Sequence, residues 1–121
     1  MKYLILIHGN QQWREAFASM PAGDRQHGLD AYDALTQALN DSGELVAAAP
    51  LADPTQTLRP GGGRGAAPDG PFAEAKEYIA GFYLVDCDGP ERALEIAGRI
   101  PEASEGMVEV RPTMDLSAFD W

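Results

Sequence analysis

Seven side chains in this sequence are of types that do chemistry near neutral pH and stand where a site is commonly built: His8, His27, Asp69, Lys76, Glu77, Tyr83 and Cys87. Histidine's unperturbed pKa of about 6.5 suits a general base, which makes His27 a candidate. A histidine at the border of a helix with no chemical role fits its position equally. His8 falls at a strand end, which favours a site and equally favours a polar cap. Asp69 opens the run Asp69-Gly70-Pro71-Phe72-Ala73-Glu74-Ala75-Lys76-Glu77. There the proline restrains Gly70 to extended or glycine-only conformations. Such a turn either caps itself with the Asp69 carboxylate, Phe72 anchoring it, or delivers Asp69, Lys76 and Glu77 to a cleft mouth. In the cleft a carboxylate and an ammonium bind a ligand or move a proton. Lys76 and Glu77 are adjacent, so on an extended chain they point to opposite sides and at most one faces a given pocket. Tyr83 either lines that pocket from a strand or belongs to the core.

Other chemistries lack their parts. Two histidines far apart, without clustered acids or further cysteines, make a weak metal or haem site. Gly61-Gly62-Gly63-Arg64-Gly65 has neither the Lys-Ser/Thr sequel nor the helix of a phosphate loop and reads as a hairpin turn. Cys87 has no basic neighbour to favour its thiolate and reads as a small packed residue. No Gly-Xaa-Ser-Xaa-Gly elbow occurs. No cofactor is called for. With 19 acidic against 9 basic residues the formal charge is −10. That field repels phosphate backbones and anionic lipid surfaces, so neither nucleic acid nor membrane is an expected partner. A single cysteine forbids an internal disulfide and fits a reducing compartment. The apolar N-terminal run is too short for a secretory core and nothing approaches a membrane span, so the expected location is the cytoplasm.

At 121 residues the chain is one domain, residues 1–121, with 113–121 as a tail. Tyr3–Ile7 is a β-branched apolar run halted at His8-Gly9-Asn10, a strand. Gln11–Ala18 holds a helical turn. From Arg25 to Ser42 the period is helical: Ala31, Tyr32, Leu35, Ala38 and Leu39 share a face, Asp24 is the expected N-cap and Gly43 the stop. Glu44–Ala49 is a second strand. Thr55–Arg59 and the glycine-rich turn form a hairpin, and Tyr78–Asp86 is the strongest strand. Asp88 is the expected N-cap of a helix with Glu91 completing a capping box. Ala93, Ile96, Ala97 and Ile100 recur at helical spacing until Pro101. Met107–Arg111 alternates as a last strand. This order gives an α+β fold, the ferredoxin-like split βαβ: an antiparallel sheet with two helices on one face and a hairpin insertion.

Tyr3–Ile7 and Ile79–Val85 are apolar on both faces, whereas helices cover only one. A second sheet from an identical subunit, packed about 10 Å away, is the expected cover; the hairpin and the aromatic tail, Phe119 and Trp121, folding back is the alternative.

The Asp69–Glu77 block, Gly81-Phe82-Tyr83-Leu84, Val108-Glu109-Val110-Arg111-Pro112 and the Met1-Lys2-Tyr3-Leu4 start together resemble the DGPF branch of the YCII-related family, over nearly the whole chain. The resemblance implies a homodimeric α+β barrel. A His–Asp pair has been proposed as the family's active site. His27 stands at about the place of that histidine; where the aspartate is expected this chain has Ile100-Pro101-Glu102, with Glu102 as a substitute. Ala75 replaces the usual threonine of the block. Two functions follow from the resemblance and the residues. One is an enzyme or binder of small aromatic or acidic metabolites, with catalytic candidates His27 and Asp69 and ligand-binding candidates His8, Lys76, Glu77 and Tyr83. The other is a non-catalytic accessory or regulatory protein associated with alternative sigma factor systems.

Overall fold

The computed structural model describes residues 1–61, 63–64 and 77–118. Its elements are β1 (Lys2–Asn10), α1 (Gln11–Ser19), α2 (Ala22–Ser42), β2 (Leu45–Pro50), β3 (Leu58–Arg59), β4 (Gly63–Arg64), β5 (Glu77–Asp86), α3 (Pro90–Ala97) and β6 (Val108–Pro112). Short 3₁₀ turns occupy Pro54–Gln56, Pro101–Glu105 and Leu116–Ala118. Four strands form one sheet in the order β2-β5-β1-β6, every pairing antiparallel. This is the α+β arrangement expected from the strand–helix–strand, strand–helix–strand order. The β3–β4 ladder, Leu58 opposite Arg64, pairs two short strands, but the second, Gly63–Arg64, falls within the glycine-rich segment expected to be the hairpin's turn.

Side-chain alternation along the strands sorts the sheet into two faces. Tyr3, Ile5 and Ile7 of β1 and Tyr83 and Val85 of β5 enter one core with Leu35 and Leu39 of α2 and Ala93, Ile96 and Ala97 of α3. Both helices therefore lie on the same face. The opposite face carries Leu4 against Leu84 and Leu6 against Phe82, with Ala47 and Ala49 of β2 beside them. Ile5, Leu35, Leu39, Ile96, Ile100 and Val85 are fully buried, and cutting one of the leucines or isoleucines to alanine costs about 2–5 kcal/mol.

Several local expectations are corrected. β1 does not stop at His8-Gly9-Asn10 but continues to Asn10, because β5 pairs with it past a bulge at Ile7/His8. Asn10 then serves twice: its Oδ1 accepts the Trp13 amide at 2.6 Å, capping α1. That cap supports a full helix of nine residues where a single turn was expected. Asp24 is not the cap of α2; Pro21 holds that position and Asp24 sits in the first turn, where a carboxylate faces the positive helix end. Asp88 and Glu91 form no capping box, since Gly89 is the N-cap of α3 and no side chain bonds its amides. α3 ends at Ala97, and Pro101, expected to stop it, instead opens the next 3₁₀ turn. Most of Thr55–Arg59 is not strand: Asp53 caps a 3₁₀ turn by accepting the Thr55 amide at 2.9 Å, leaving only Leu58–Arg59 to pair. Gly43, by contrast, ends α2 as expected, at φ 79°.

Among the described residues, no helix is long and apolar enough to cross a membrane.

Candidate functional site

The continuation of β1 into α1 carries the chain over the end of the helix-covered face. α1 has no buried residue; beyond the Asn10 cap, Arg14 ties it to the rest of the fold. Arg14 pairs with Asp53 at 3.0 Å, donates to the Tyr78 hydroxyl at 3.3 Å and lies 5.0 Å over the Tyr78 ring. Tyr78 in turn needs Gly9, because a Cβ there would meet its ring at 2.8 Å. Between α1, α2, the ends of β1, β2 and β5 and the Pro101 turn, this leaves a cavity of about 1200 Å³.

Its walls are largely aromatic. Trp13 and Phe17 come from α1, Tyr32 from α2, and Tyr78 and Tyr83 from β5. The polar groups differ in depth. Tyr83 is 5% exposed and its hydroxyl is 3.0 Å from Thr36 Oγ1. Glu102 is buried at 8% exposure, the Tyr32 hydroxyl donating to its Oε2. Burial pushes the Glu102 carboxyl above its ordinary value, partly opposed by a backbone hydrogen bond. Arg14, Asp24, His27, Asp33, Asp53 and Arg99 complete the charged lining.

The candidate residues separate on this geometry. His27 lines the cavity from an exposed position on the second turn of α2. Tyr83 packs in the core and is also among the residues lining the cavity. His8 borders the cavity, while its Nε2 lies 2.7 Å from Glu109 Oε1. Glu109 stands opposite Leu6, so that pair lies on the face away from the helices. Glu77 is exposed, opposite Asn10, and outside the lining. Asp69 and Lys76 lie outside the described residues, as does all of the Asp69–Glu77 block except Glu77.

Tyr32, Thr36, Arg14, Tyr78 and Arg99 were not singled out from the sequence. Tyr32 reads as a member of an apolar stripe, and its hydroxyl acquires meaning only when the Pro101 turn brings Glu102 against it. Arg14 lies 39 residues before Asp53 and 64 before Tyr78, a spacing without a local signature. Among the described residues no group of three or more His, Cys, Asp or Glu is placed to hold a metal ion.

A protein of Rhizobium meliloti described as uncharacterised is 33% identical over 116 residues, covering 93% of this chain and 91% of its own length. In structure the chain is similar to 5-chloro-2-hydroxyhydroquinone dehydrochlorinase from Burkholderia phenoliruptrix, solved with 2,5-dihydroxybenzoquinone. Identity is 17%, the TM-score 0.46, and the match covers 99% of this chain and 100% of that one. Residues 1–117 match the YCII-related domain, and the chain therefore belongs to the YCII-related family.

Proposed function

We propose that this chain binds a small aromatic or acidic metabolite in the cavity beneath α1, as a binding protein or an enzyme. The cavity itself carries the reading: about 1200 Å³, walled by aromatic rings with a few convergent polar groups, the usual make-up of a small-molecule site. His27 is the candidate base at its edge. Asp69, Lys76 and Glu77 belong to the block that resembles the DGPF branch, and we include Asp69 as the second catalytic candidate. A homodimer with sheet packed on sheet is part of the proposal, supported by the apolar set Leu4, Leu6, Phe82 and Leu84 on the face without helices. In such a dimer His8 and Glu109 lie next to the subunit contact.

A thermal-shift screen of small aromatic and acidic metabolites on wild type, His27→Ala and Asp69→Ala tests the site. A ligand at a hundred times its Kd raises stability by about 2.7 kcal/mol, and a hit weakened in either variant places it at that residue. Hits unaffected by both substitutions remove the two residues from the site. A screen without hits favours the accessory role, exercised through contact with another protein. Light scattering at micromolar concentration tests the assembly, and a clean monomer refutes it.

A further inference from the structure

We infer that the Tyr83 and Thr36 hydroxyls act together as a single hydrogen-bond donor in the cavity wall, and that the ligand they recognise is an uncharged aromatic compound carrying a carbonyl group. The inference rests on the cavity being a ligand site and names the pair that selects what enters it.

A count of protons carries it. Each hydroxyl has one proton to donate and lone pairs with which to accept. Their oxygens stand 3.0 Å apart, so one donates to the other and its proton is spent. The second proton is left over, and among the described residues neither hydroxyl has a further partner. A buried donor left without an acceptor is costly, and Tyr83 is only 5% exposed. Both residues line the cavity; they come from β5 and α2, 47 positions apart, and meet only at this wall. The spare proton therefore finds its acceptor in what fills the cavity. A hydroxyl that already receives a bond is polarised, which strengthens the one it gives. A ligand that displaces solvent from this proton without offering an acceptor forfeits a bond.

The rest of the lining sets the charge and shape of the ligand. Its acids, Asp24, Asp33, Asp53 and Glu102, outnumber its arginines, Arg14 and Arg99, and the whole chain carries a formal −10. Arg14 is already paired with Asp53 at 3.0 Å. That field disfavours an anion, so the acceptor is a neutral carbonyl rather than a carboxylate. Trp13, Phe17 and Tyr78 in the lining suit a flat apolar body.

Acetophenone is the probe, and α-methylstyrene, of the same shape with a CH₂ group in place of the carbonyl oxygen, is its control. Dissociation constants for both come from NMR titration of the amides around the cavity. Wild type, Tyr83→Phe, Thr36→Val and the double variant are compared, their amide spectra also reporting folding. The quantity read is the α-methylstyrene constant divided by the acetophenone constant. Hydrophobic transfer and the other donors of the lining, Arg14, Arg99 and His27, enter every protein alike and cancel when these ratios are compared. One neutral hydrogen bond corresponds to about a five-fold change. The double variant therefore shows a ratio about five-fold below that of wild type, with α-methylstyrene binding unchanged. Each single variant lowers the ratio too, the larger fall marking the hydroxyl that touches the carbonyl, and that fall decides the matter if the double variant does not fold. A ratio equal in wild type and all variants, whether or not both compounds bind more weakly, overturns the inference and leaves the cavity as a ligand site. Failure of both compounds to bind wild type overturns the cavity reading and the inference with it.

Discussion

Replacing Glu44 by glutamine removes one charge from the joint between α2, β2 and α3 and leaves the side chain's shape intact. Arg92 grips that carboxylate twice, Nε to Oε2 at 3.0 Å and Nη2 to Oε1 at 2.7 Å, and the Ser42 hydroxyl adds a third bond at 2.8 Å. These bonds, Arg92 first and Ser42 second, hold the Glu44 carboxyl at a pKa of about 2 against an ordinary 4.5. One pKa unit corresponds to about 1.4 kcal/mol, so the pair stabilises the fold by at most about 3.4 kcal/mol. Solvent reaches both partners, with 32% of the Arg92 side chain and 17% of Glu44 exposed. Exposed pairs contribute a fraction of the ideal value, and about 1–1.5 kcal/mol is the expected loss at neutral pH. The sign follows from the direction of the shift. A carboxyl whose folded pKa lies below its unfolded one stabilises fully above the unfolded value, near 4.5, and loses that contribution as pH falls toward 2. Urea unfolding of wild type and Glu44→Gln at pH 7, 5, 4 and 3 measures it. The gap between the two proteins holds from pH 7 to 5 and shrinks below. A gap of unchanged size at pH 3 refutes the electrostatic reasoning and assigns the effect to packing.

Arg14→Ala releases α1, which buries no residue and is held through Asp53 and Tyr78. Hydrogen exchange across residues 11–19 accelerates while core amides of β1 and β5 keep their protection; equal loosening of both disproves the local tether. Gly9→Ala drives a Cβ into the Tyr78 ring and loosens the same helix by displacing Tyr78, read by the same exchange experiment. Gly43→Ala keeps open space around the new methyl group but holds alanine at φ 79°, and costs about 1 kcal/mol in a denaturation curve; a neutral result would show that α2 ends in another conformation without penalty.

The order and type of the elements were legible from local pattern. Ala31, Leu35, Ala38 and Leu39 repeat at helical spacing, Tyr3–Ile7 and Tyr78–Asp86 are dense in β-formers, and Gly43 supplies a left-handed stop; each signal lies within one element. Caps were read less well. Asp24, Asp88 and Glu91 are good cap residues by type, but where a helix begins depends on where the chain before it is held. The Asn10 junction shows this, its position set by β1 pairing with β5 rather than by α1. The site was legible only in part. His27 and Tyr83 were singled out by residue type and location, and both reach the cavity. The Glu102–Tyr32 contact, the Arg14 tether and the placement of His8 with Glu109 on the opposite face join residues 39 to 101 positions apart. Side-chain chemistry is written in the sequence, but which groups share a cavity is set by sheet register and by how α1 and the Pro101 turn dock on it. The residue types thus determined the elements and the fold class of this protein, and the packing of those elements alone decided that a buried carboxyl and a tyrosine hydroxyl face the same aromatic cavity.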